Sequence, residues 1–203
     1  MSEPSEIAVK DFWNWFHVNA GSIVSEIEKG ARLDELDRKV NNLAPDLSWE
    51  VGPGIDKQWQ LVISPNLNRS LRKTACMIVA GSPELDEWEF HSARQKKDWD
   101  YRVEIEIDKI DTPLSIDAKS WRFVLLRYPD GVQEILIEAN GIPKVEKEDR
   151  RLICEVVLES LLGEETLLNS VDEFELVDKF ESQLEAQVRS IRDLYSAVTG
   201  KEK

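Results

Sequence analysis

The sequence holds only two cysteines, Cys76 and Cys154. That is too few for the disulfide frameworks that staple small secreted domains. Both lie in apolar helical patterns and are expected as buried, reduced thiols. Long apolar runs are missing too. Runs such as Phe123 to Leu126 are strand-sized, and none approaches the ~20 residues a membrane-spanning helix needs. Met1 to Lys10 carries Glu3 and Glu6 but no basic start, apolar stretch or cleavage site, so no signal peptide is expected and a cytoplasmic location is.

Several catalytic signatures are absent. Gly52-Pro53-Gly54 lacks the Gly, Lys and Ser/Thr of a phosphate loop, and Pro53 has no backbone N–H to offer a phosphate. No serine sits in a Gly-x-Ser-x-Gly elbow, and no CxxC, HExxH or EF-hand loop occurs. The two histidines, His17 and His91, stand at no metal-knuckle spacing from either cysteine, so no metal and no cofactor is expected. Positive charge is scarce: 26 Lys and Arg face 40 Asp and Glu, a net charge of −14. A chain so anionic is repelled by nucleic acid and by anionic membrane, and neither is expected as a partner.

What the chain does have is aromatic residues in its first part. All seven tryptophans fall in the first 121 positions, whereas the charge is −5 over residues 1–100 and −9 over residues 101–203. With 203 residues, 41% of them hydrophobic, a full core is within reach. Residues 1–8 are expected as a disordered tail and residues 9–203 as a single domain. Phe12, Trp13, Trp15 and Phe16 give a short helix one broad aromatic face, ended at Asn19-Ala20-Gly21. A second helix follows over about 22–43, with a break at Gly30.

Alternation then predicts strands at 48–51 and 58–64, a helix at 67–80 and a strand at 87–93. Strands at 101–107, 121–128 and 132–139 come next, the last two joined by the turn Pro129-Asp130-Gly131. A helix at 147–162, a strand at 171–177 and a final helix at 179–198 complete the chain. The expected class is α+β, with an antiparallel or mixed sheet and helices packed on it. The order strand, hairpin, strand, helix, strand occurs twice, at 48–92 and 121–177, so a duplicated ββαβ unit is one reading and two ordinary α+β halves the other.

Glu89 and His91 share a strand face, and Arg94, Lys96, Lys97 and Trp99 follow directly. This basic and aromatic stretch suits a carboxylate or phosphate, with Arg94 forking onto the anion, Trp99 stacking and His91 acting as acid or base. The alternative is a solvated loop paired with neighbouring acids. Trp13 and Trp15 are read either as core or as an exposed face where a partner docks. Arg69, Arg72 and Lys73 form a second basic spot at a helix start. The acid pairs Glu104/Glu106 and Glu173/Glu175 read as solvent-facing strand positions rather than a catalytic dyad.

The strings Phe12-Trp13-Asn14-Trp15-Phe16, Trp49-Glu50-Val51-Gly52-Pro53, Leu61-Val62-Ile63-Ser64-Pro65 and Trp88-Glu89-Phe90-His91-Ser92-Ala93-Arg94 resemble a family of small uncharacterised bacterial proteins. The resemblance implies a bacterial, compact protein and supplies no catalytic residue. Two functions are expected from the sequence. One is a non-enzymatic protein-binding module, immunity- or inhibitor-like, whose acidic surface meets a basic protein partner. The other is a small ligand-binding domain or hydrolase centred on His91, Glu89 and Arg94, with Glu50 as a further wall residue.

Overall fold

The computed structural model describes residues 3–107 and 112–201. The protein is α+β, with helices beside both mixed and antiparallel sheets. It divides into two compact units, Met1–Arg94 and Gln95–Lys203.

The first unit opens with α1 (Glu6–Glu28), where Ser5 accepts the Ala8 N–H as the cap. Helix therefore reaches into the segment expected as a tail, of which residues 1 and 2 lie outside those described. The helix also runs straight through Asn19-Ala20-Gly21. Ala20 and Ile23 continue its buried stripe, and that packing outweighs the low propensity of a single glycine. Helix α2 (Asp34–Leu43) buries Leu36, Val40 and Leu43. Strands β1 (Ser48–Pro53) and β2 (Trp59–Ser64) form an antiparallel hairpin. Helix α3 (Arg72–Ala80) then crosses over to β3 (Trp88–His91), which lies parallel to β2 with Gln60 beside Glu89 and Leu61 beside Phe90.

The aromatic face of α1 fills this unit's core. Phe12 meets Trp13 edge to face at 4.8 Å, Trp13 meets Phe90 at 4.8 Å, and Phe16 meets Trp88 at 4.9 Å.

The second unit begins with an antiparallel pair, β4 (Arg102–Ile105) and β5 (Leu114–Asp117). Strands β6 (Arg122–Arg127) and β7 (Gln133–Glu138) form a hairpin whose turn places Gly131 at φ +91, a conformation glycine adopts without strain. Helices α4 (Lys147–Leu162) and α5 (Glu164–Ser170) lead to β8 (Glu173–Leu176), parallel to β7. The two-residue β9 (Arg189–Ser190) pairs with the other side of β6. Only α6 (Leu194–Thr199) remains of the long final helix that the apolar spacing predicts. Ser190 caps a 3-10 turn by accepting the Arg192 N–H, and β9 takes up the ladder where a helix would have run.

Each unit thus contains a hairpin, a helical crossover and a third strand parallel to the hairpin's second strand. The cysteines sit in the corresponding helices, α3 and α4, but in opposite settings. Cys154 is buried, and burial pushes its thiol up to about 12. Cys76 is exposed, against expectation, because Ala75 and Ile78 take the inner face of α3 and turn it outward. A maleimide is expected to label the native protein once, at Cys76, with a second equivalent taken up only on unfolding. A peptide map after native labelling checks this.

Candidate functional site

Glu89 is the most constrained of the residues singled out by sequence. Its side chain is 11% exposed and points from β3 into the loop that joins β1 to β2. Its carboxylate accepts the backbone N–H groups of Ile55 at 2.5 Å, Asp56 at 3.0 Å and Lys57 at 3.2 Å. The Nε2 atom of His91 lies 3.2 Å from the same carboxylate. Burial alone would raise the Glu89 pKa, but the Ile55 and Asp56 amides and the His91 ring outweigh it and hold the group at about 2. The loop closes this tightly because residue 54 is glycine. A Cβ there would collide with the Lys57 carbonyl and press on the Glu89 carboxylate.

Glu89 is therefore a fastening between strand and loop. A carboxylate whose lone pairs are filled by amide donors is a poor general base, and His91 leans on it. Arg94 is committed in the same way. Its Nε donates to Glu50 Oε1 at 2.6 Å and its Nη2 to Ser48 Oγ at 2.7 Å, with the side chain 16% exposed. The guanidinium that would fork onto a ligand anion instead ties the end of the first unit to β1.

Trp13 is 3% exposed, and its indole N–H donates to the Ile78 carbonyl at 2.7 Å. Trp15 is partly buried against the same core, with the Lys39 ammonium 5.3 Å from its ring centroid. Neither forms an open aromatic face. At the second basic spot Lys73 pairs with Glu3 at 2.8 Å. Glu104, Glu106, Glu173 and Glu175 are all exposed. Among the described residues no group of three or more His, Cys, Asp and Glu side chains gathers as a metal site, and no helix is long and apolar enough to cross a membrane.

The described residues also form several concave places, two of which bear on binding. In the first unit a groove of about 450 Å³ runs along α1 at Ala20, Gly21 and Val24, with Trp59 as a wall and Asp86 and Glu87 on its rim. A Cβ on Gly21 would meet nothing within 4 Å, so the groove is open there. No base lines it; the nearby Lys57 ammonium donates to the Leu85 carbonyl at 2.6 Å. Nothing in the sequence pattern marks this groove, because its parts come from three separate stretches.

In the second unit a cleft of about 420 Å³ gathers Lys96, Lys97, Trp99 and Tyr101 with Arg192 and Tyr195. Sequence reasoning reached Lys97 and Trp99 but not their companions from the C-terminal segment, which no local spacing reveals. Glu89, His91, Arg94, Trp13 and Trp15 belong to the first unit and Lys97 and Trp99 to the second.

No protein-family model, no curated protein and no solved structure matches this chain. The functional reading rests on the geometry above.

Proposed function

We propose that this chain is a non-enzymatic protein-binding module, immunity- or inhibitor-like, that receives a basic protein partner. The observation that carries the reading is the acid-rimmed groove of the first unit. Its wall is an indole and its floor is the bare backbone around Gly21, while Asp86 and Glu87 supply charge with no lining base to cancel it. An arginine or lysine from a partner fits this chemistry, with its stem on Trp59 and its head between the carboxylates. The net charge of −14 would steer such a partner in from a distance. The commitment of Glu89, His91 and Arg94 to internal bonds argues against the hydrolase alternative.

The test uses the tagged full chain and the double variant Asp86→Lys, Glu87→Lys. Both residues are exposed, so the variant should fold. The wild type is expected to retain a basic protein from its host at low salt and release it at about 0.5 M salt. The variant should bind that purified protein at least about tenfold more weakly. Equal binding by the variant, retention unaffected by salt, or capture of acidic proteins alone would each overturn the reading.

A further inference from the structure

We infer that the cleft of the second unit is a binding site for a small molecule that joins a planar aromatic ring to a phosphate or carboxylate. The inference is independent of the groove in the first unit. It stands on three observations.

The lining comes first. In a unit that is strongly acidic overall, this cleft collects Lys96, Lys97 and Arg192 against the single carboxylate Asp98. Cations here stand beside rings. The Lys96 ammonium lies 4.3 Å from the Tyr195 ring centroid, and the Arg192 guanidinium 5.7 Å from that of Tyr101. Trp99 and Tyr101 face each other at 5.9 Å with a 30° tilt. Rings offer a stacking surface for a flat ligand, and the cations beside them offer a counter-charge for its acidic group.

Backbone strain is the second observation. Tyr101 has φ +65, the left-handed region that an aromatic residue rarely adopts. Its carbonyl accepts the Ala118 N–H at 2.8 Å, which holds the strained residue in place. Strain of this kind concentrates where a side chain must be aimed, and the ring so aimed lines the cleft.

The third is an unmet donor. The Trp99 indole N–H is covered yet finds no acceptor among the described residues. Buried donors are almost always satisfied, so an unsatisfied one beside a cleft calls for an acceptor from outside the chain. Residues 94–100 form no regular structure, and the Lys97 N–H donates to the Ser160 carbonyl at 2.9 Å.

Calorimetric titration of the full chain tests this. The probes are adenosine 5′-monophosphate and indole-3-acetate, with adenosine and inorganic phosphate as controls. At least one of the two ring-bearing anions is expected to bind below about 1 mM, and at least about tenfold more tightly than either control. Which of them binds separates a phosphate ligand from a carboxylate one. Lys96→Ala and Arg192→Ala alter exposed side chains, and each should weaken that binding about fivefold. Trp99→Phe keeps a ring while removing the N–H and should weaken it as well. Absence of binding by both anions up to ~5 mM would overturn the inference, as would adenosine or phosphate binding equally well. Unchanged affinity in both charge variants would do the same.

Discussion

Replacing Trp13 by alanine is expected to lower the unfolding free energy by about 4 kcal/mol, the range for truncating a buried tryptophan. The indole packs edge to face on Phe12, Phe16 and Phe90, so its loss empties the junction of α1 with β3. It also strips the Ile78 carbonyl of the indole N–H that it accepts. Trp13→Phe separates the two effects. It keeps most of the ring volume and should cost about 1–2 kcal/mol, largely for the lost indole hydrogen bond, since the Ile78 carbonyl keeps the Gly81 N–H. Urea unfolding of the full chain followed by circular dichroism measures both. The contrast with docking is direct: a tryptophan serving as a surface hot spot could be truncated with little loss of stability. A Trp13→Ala protein as stable as the wild type would contradict the core assignment.

Glu89→Gln should cost about half as much, on the order of 2 kcal/mol. The carboxylate oxygens accept from three consecutive amides and face the His91 ring. Glutamine supplies one acceptor oxygen and turns an NH₂ group toward donors, so at least one loop amide loses its partner. The same geometry makes a pH prediction. The folded pKa of about 2 lies below the ordinary value of 4.5. Stabilisation by Glu89 is therefore complete above about pH 4.5 and disappears as the pH falls toward 2, because the unfolded chain binds the proton more readily in that window. The wild type is expected to lose stability steeply between pH 4.5 and 2, and Glu89→Gln to show a shallower acid limb. Parallel acid limbs in the two proteins would contradict the proposed fastening.

Much of the fold was legible because its signals are local. Alternation marks β1 and β2, a nearly continuous apolar run marks β6, and the turn at Pro129-Asp130-Gly131 joins it to β7 as expected. Glu89 and His91 share a face and meet, as a period of two requires. What they do there was not legible. The three amides that fill the Glu89 carboxylate belong to residues 55–57, and backbone donors leave no mark in a hydrophobic pattern. Arg94 looked free for a ligand because its partners, Ser48 and Glu50, lie more than forty residues earlier.

Other differences have equally physical sources. Tertiary packing carries α1 past Gly21, where propensity alone suggests an end. The apolar spacing over 179–198 fits a helix, yet caps and the short pairing with β6 divide it into turns, β9 and α6. β5 and α5 are short elements in stretches where periodicity has little length to build a signal. The aromatic cleft was half visible. Lys97 and Trp99 stood out by composition, while Arg192 and Tyr195 reach the same place only through the fold.

The parallel third strand in each unit sets an order of assembly. Hairpins such as β1–β2 and β6–β7 close within microseconds, but β3 and β8 can dock only after a helical crossover has been made. On a ribosome adding about 5–20 residues per second, the outer edges of β2 and β7 stand open on the order of seconds before their last partner emerges. Those edges carry Leu61, Val62 and Ile63 in one unit and Ile135, Leu136 and Ile137 in the other. During each interval the nascent chain presents an apolar strand edge able to pair with a neighbouring chain, so crowding of unfinished copies threatens its yield.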